Sequence, residues 1–139
     1  MRGKMSGFSL VELMIVVAIV GIIAAITFQV AGGNNEKVRR AIAKNVMMEV
    51  QSRQEQFFIN NRSYTTNLVD LGYNSSPMFI NRNGDQVAQG NAFYRISVTV
   101  SGFAYTVQAE PINQQSGDEC GTLTLASTGA RGAAETHCW

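Results

Sequence analysis

Between Phe8 and Phe28 only Ser9, Glu12 and Thr27 break a continuous apolar run. As a helix this stretch is roughly 31 Å long, the thickness of a bilayer core. Past it, Val38, Ile42, Val46 and Val50 recur every four residues, and Phe57 follows seven further on. That spacing predicts an amphipathic continuation with one apolar stripe, and Lys37, Arg39, Arg40, Lys44 and Glu49 on its other faces. The basic members, Lys37-Arg39-Arg40-Lys44, read first as a solvated face beside acidic lipid headgroups, with pairing to acids of neighbouring subunits as the alternative. Between the halves lies Gly32-Gly33-Asn34-Asn35. Each glycine weakens a helix by about 1 kcal/mol relative to alanine, which makes the pair a candidate hinge. Polar, turn-like residues begin at Asn60, and 64–77 reads as an irregular connection anchored by Leu68, Leu71 and Tyr73. Period-two alternation then takes over. Tyr94, Ile96, Val98 and Val100 form one apolar set, and Phe103, Tyr105, Val107 and Ala109 form another, joined by a Ser101-Gly102 turn. Pro111 ends the second strand, Leu123 and Leu125 mark a third, and a weak fourth precedes Cys138. The predicted class is α+β, a long N-terminal helix followed by an antiparallel meander of three to four strands.

One position in the apolar run needs a separate account. A carboxylate in a membrane helix costs roughly 2.5–3.5 kcal/mol, and such residues are usually functional. Glu12 therefore points to a helix that also packs where a positive partner is available. The leader Met1–Gly7 carries Arg2 and Lys4, which keeps it on the cytoplasmic side and exports the rest. A cleaved secretory signal would have a shorter apolar region without an acid, despite the weak site that Ala24 and Ala25 offer. A plain membrane anchor leaves Glu12 unexplained.

The run Gly7-Phe8-Ser9-Leu10-Val11-Glu12-Leu13 resembles the class III signal of type IV pilins. The resemblance implies that a prepilin peptidase and methyltransferase cuts between Gly7 and Phe8 and methylates the new amine of Phe8. It makes Glu12 the assembly residue, paired with the terminal ammonium of a neighbour. Stacked apolar helices exclude water, so such a pair is stronger than in solvent, and an unpaired member is costly enough to enforce register. The implied divisions are a leader, 1–7; a transmembrane and filament-core helix, 8–33; and a globular head, 34–139. The apolar half of the helix would protrude and the amphipathic half would pack on the sheet. Many pilins place a proline near the end of the apolar half. Here Gln29 stands there, and Gly32-Gly33 would supply the flexibility.

Without its leader the chain carries nine basic and ten acidic residues, a net charge of −1. This is no basic coat for nucleic acid. Part of the 45% hydrophobic content belongs to the first helix, so the head has a small core that needs a staple. Cys120 and Cys138 are the only cysteines, and in an exported chain they read as a disulfide worth about 3 kcal/mol in the chain-entropy model. The rival, a metal site of Cys120, His137 and Cys138, lacks a fourth ligand. His137 reads as a surface or packing residue, and no metal or cofactor is expected. Cys120-Gly121-Thr122-Leu123-Thr124-Leu125, Ser127-Thr128-Gly129 and Cys138-Trp139 resemble the ending of PilE-type minor pilins of Gram-negative bacteria. Gln54-Glu55-Gln56-Phe57-Phe58 and Ser63-Tyr64-Thr65 are similar to the same group.

The sequence shows no catalytic triad and no phosphate loop, and the chain reads as a building block, not an enzyme. The resemblance, through its C-terminal motifs, implies a minor pilus subunit, held in the inner membrane with a periplasmic head before it enters a surface fibre. Its partners would be other pilins, the prepilin peptidase, the inner-membrane assembly platform and lipid. Two alternatives stand beside this: a pseudopilin of type II secretion, and a competence pilin that grips DNA. After the helix the head offers only Arg62, Arg82, Arg95 and Arg131, so a direct grip on nucleic acid through a basic patch is not expected.

Overall fold

The computed structural model describes residues 9–139, with backbone alone for 26–34. Helix α1 runs from Leu10 to Asn61. It is helical at Gly32 and Gly33. Two compact units divide the chain, Met1–Asn35 and Glu36–Trp139.

In the first unit every described side chain from Ser9 to Ala25 is exposed, including Leu13 at 57% and Ile22 at 63%. A helix that is apolar on all sides needs an apolar medium or other helices around it. Among the described residues no helix is long and apolar enough to cross a membrane. The described side chains of the apolar run stop at Ala25.

In the second unit, the part of α1 from Glu36 packs on a five-stranded antiparallel meander ordered β1-β2-β3-β4-β5. The strands are β1 Met78–Ile80, β2 Tyr94–Ser101, β3 Ala104–Pro111, β4 Leu123–Ala126 and β5 Arg131–Gly132. The period-two pattern sets the register: Ile96 pairs with Ala109 and Val98 with Val107, so both apolar sets share the face toward α1. Leu123 and Leu125 of β4 and Met78 and Ile80 of β1 complete that face. Leu68, Leu71 and Tyr73 are buried, as expected of the anchors of that connection.

Three expectations are corrected. The first is the phase of the helix stripe. Val38 is 47% exposed and Ile42 only half-buried, whereas Ala43, Met47 and Val50 are fully buried. A strict four-residue step advances 400° and rotates the stripe by 40° each time. A stripe that stays on one face alternates steps of three and four. The buried face follows that rule through Arg40, Ala43, Met47, Val50, Gln54 and Phe57, and two of its members are polar. The second is Phe103. Ser101 pairs with Ala104, so Gly102 and Phe103 form a two-residue loop, with Gly102 at φ 58°. The first loop position of a type II′ turn requires that sign of φ. Phe103 is left 85% exposed at the tip. The third is β1, which sequence reading missed because three residues are too short for an alternation to be recognised.

Candidate functional site

Ser9 precedes the first residue of α1, and Glu12 lies in its first turn. The backbone N–H of Ser9 donates to Glu12 Oε2 at 3.4 Å, and the Leu13 N–H donates to the Ser9 carbonyl at 3.2 Å. Ser-x-x-Glu at a helix start is a capping box, in which the acid returns to the N-cap N–H. The carboxylate also meets the positive end of the helix dipole. Glu12 thus has a local partner that sequence reading overlooked, although Ser9 at the required spacing was visible. Gly7 and Phe8 lie outside the described residues, so the cleavage and methylation assigned to them stay with the resemblance.

At the other end of the sequence, Cys120 and Cys138 form a disulfide with Cα atoms 5.7 Å apart. Beside it sits a buried polar hub. Asp118 accepts from Arg40 Nε at 3.2 Å and also from Arg40 Nη2, from the Tyr94 hydroxyl at 2.9 Å, from Gln115 Nε2 at 2.7 Å and from the Cys120 N–H at 3.0 Å. Burial pushes the Asp118 carboxyl up, but the bonds from Arg40, Cys120, Gln115 and Tyr94 outweigh it and hold the group at about 2. Burial and the Asp118 bond push the Tyr94 hydroxyl well above the usual tyrosine value. The hub ties the disulfide loop to α1 and to β2.

Of the basic cluster of α1, Lys37 is exposed as expected, but Arg39, Arg40 and Lys44 do not form a solvated face. Arg40 is buried in the hub, and Arg39 stacks over the Phe93 ring at 3.8 Å. Lys44 lies over Trp139, with Nζ 5.5 Å from the ring centre. The cause is electrostatic attraction of the cationic heads to the ring faces, helped by methylene stems that lie along the apolar surface while the helix buries its neighbouring positions.

Sγ of Cys120, Sγ of Cys138 and a ring nitrogen of His137 lie within 4.8 Å of one another. In the disulfide the two sulfurs bind each other and offer no thiolate to a metal. His137 is exposed, and its Nε2 is 3.1 Å from Glu119 Oε1. Of the four arginines expected on the head, Arg95 is paired with Glu110 across β2 and β3. Arg131 joins Lys44 at the Trp139 ring, with Cζ 5.3 Å from its centre.

Near the end of α1 the structure explains a stretch that had only been matched by resemblance. Gln54 is fully buried; its Nε2 donates to the Thr65 carbonyl at 2.5 Å, and its Oε1 accepts from the Thr65 N–H at 3.2 Å. Glu55 accepts from the hydroxyls of Tyr64 and Tyr105, at 3.2 and 2.8 Å. Phe58 stacks on Tyr64, whose ring meets Tyr105 edge-on.

Residues 34–124 match the family described as type IV minor pilin ComP, DNA uptake sequence receptor. Residues 2–28 match the prokaryotic N-terminal methylation motif. The chain is 34% identical over 74 residues to the type IV wide pilus major component PilA4 of Thermus thermophilus, covering 51% of this chain and 56% of that protein. It is 29% identical over 72 residues to type II secretion system core protein G of Dickeya chrysanthemi, covering 52% of this chain and 47% of that one. The chain thus spans about half the length of these relatives. Among solved structures, a type IV pilin from Shewanella oneidensis superposes with a TM-score of 0.52 at 25% identity, over 75% of this chain and 97% of that one. With an N-terminal methylation motif, a ComP-type match over most of the head and a pilin fold, the chain belongs to the type IV pilins, a family of structural subunits, in its ComP minor-pilin branch.

Proposed function

We propose that this chain is a minor structural subunit of a type IV pilus. It enters the inner membrane through its apolar helix, with the head in the periplasm. It is cut between Gly7 and Phe8, methylated on Phe8, and passed by the assembly platform into the fibre. There Glu12 pairs with the terminal amine of a neighbour, and Gly32-Gly33 serve as the hinge of the helix. Pili so built would serve twitching and adhesion. The observation that carries this reading is the order of features in one short segment: a basic leader, Gly7-Phe8, Glu12 and an apolar run, matched over residues 2–28 by the methylation motif. Mass spectrometry of filaments sheared from the cell surface should find a peptide beginning with N-methylated Phe8. Processed protein confined to the envelope would favour a secretion pseudopilin, the assignment of the Dickeya relative. A chain cut elsewhere would remove the pilin role.

A second reading is that the subunit acts in competence and binds incoming DNA. The match of residues 34–124 to a family described as a DNA uptake sequence receptor favours it. Titration of the purified chain with labelled duplex DNA at about 50 mM salt tests it, and absence of binding there would overturn it.

A further inference from the structure

Trp139 is the only tryptophan of the chain. Its indole N–H donates to the Gly132 carbonyl at 2.8 Å, which fixes the half-buried ring against β5. Lys44 reaches this ring from α1 and Arg131 from β5, each within about 5.5 Å of its centre. Helix α1 and the C-terminal segment, distant in sequence, thus bring two cations to one aromatic platform. Among the described residues neither cation has an ion-pair partner; the carboxylates of Asp118, Glu49, Glu110 and Glu119 engage Arg40, Arg53, Arg95 and His137. Burial, then repulsion from Arg40 and Arg131, pulls the Lys44 ammonium below the usual lysine value. Asp118 is the opposite charge that Lys44 feels, and Arg40 already engages it, so a bound anion would further stabilise the two cations. The nearby edge strand β5, only two residues long, presents Arg131 outward.

We propose that Lys44 and Arg131, positioned by Trp139, form a two-pronged clamp for the phosphodiester backbone of duplex DNA. The proposal rests on the DNA-binding reading above. It reverses the expectation that no direct grip on nucleic acid exists, because that expectation counted Arg131 as one of four scattered arginines and placed Lys44 on a solvated face. The cations lie over the ring, so Trp139 orients them and is not a base-stacking surface. Such a clamp contacts phosphate and carries no sequence information.

The experiment uses the full-length chain in neutral detergent. Anisotropy of a labelled duplex gives affinity against salt, and Trp139 fluorescence reports on the site itself. Two phosphate contacts contribute about 1.8 to the slope of log affinity against log salt. Lys44→Gln with Arg131→Gln should remove about that much of the slope and weaken binding about tenfold at 50 mM salt, equally for all duplex sequences. Arg131→Lys should restore most of the slope, which a merely structural role for Arg131 would not require. DNA should change Trp139 fluorescence, while Arg82→Gln, remote from the ring in sequence, should leave slope and fluorescence response unchanged. DNA binding with an unaltered slope in the double variant would overturn the clamp and leave the DNA reading standing. Failure of the wild-type chain to bind duplex DNA would overturn both. A fluorescence change with phosphatidylglycerol vesicles but not with DNA would do the same, and would assign the cations to lipid phosphate.

Discussion

Asp118 carries more of the head's architecture than any other single polar residue. It gathers a guanidinium from α1, a hydroxyl from β2, an amide from the segment after β3 and the N–H of a disulfide cysteine. Breaking a buried ion pair by removing one partner costs about 3–5 kcal/mol, because the remaining charge stays desolvated. Asp118→Asn should therefore lower stability by that amount in thermal unfolding followed by circular dichroism, and the loss should be smaller if Arg40→Met is added. The pH dependence has a definite sign. The carboxyl is held at about 2, below its unfolded value of 3.8. Its contribution, on the order of 2 kcal/mol, is complete above pH 4 and disappears as pH falls through 2. An unfolding series from pH 5 to pH 1.5 should show that loss in the wild type and not in Asp118→Asn. None of this was legible in the sequence. Asp118 and Arg40 lie 78 residues apart, and a lone acid beside a cysteine has no local signature of a distant arginine.

At the scale of elements, legibility follows the length of the repeating pattern. Strands β2 and β3 offered eight residues each, and their alternation fixed both register and inward face. The disulfide was legible because only two cysteines exist. The helix was legible as a helix but not in phase, because its buried face includes Arg40 and Gln54, and an apolar pattern search discards both. Gln54 shows why a polar residue can occupy that face. Its amide pairs with the N–H and carbonyl of Thr65, so the connection after α1 is held as if by a strand partner. Gln54→Ala should expose a cavity and leave two backbone groups unpaired, a cost of about 1–3 kcal/mol. Urea unfolding of this variant should show a lower midpoint with an unchanged slope. Gly84 adds a backbone constraint at the β1 side. Its φ is 86°, and a Cβ there would lie 3.3 Å from Ile42 Cγ2. Gly84→Ala should cost about 1–2 kcal/mol from the left-handed backbone alone. That Ile42 is the side chain it meets was equally hidden, since Ile42 had been placed on the central stripe.

For the whole molecule the decisive question is what Glu12 does when subunits meet. In the isolated chain its carboxylate caps its own helix through Ser9. In the proposed fibre it pairs with the amine of a neighbour, and the two roles draw on different properties of one side chain. A capping box tolerates glutamine at the same position, whereas an ion pair requires charge. Glu12→Ala removes both roles, and Glu12→Gln removes only the second. Both variants should enter the membrane at least as well as the wild type, since an intramembrane charge is eliminated. If pairing governs assembly, both should be depleted from sheared filaments to a similar extent, by tenfold or more. If the capped helix start is what the neighbour recognises, Glu12→Gln should assemble near the wild-type level and only Glu12→Ala should fail. Quantifying processed subunit in the envelope and in the fibre for the same cells separates the outcomes, because a defect in insertion or leader removal would lower the envelope pool as well. The expected result is depletion of both variants from the fibre with a full envelope pool. The charge would then be what the family motif retains at a cost to insertion, and the capping contact would hold the carboxylate at the helix start until the neighbour's amine arrives.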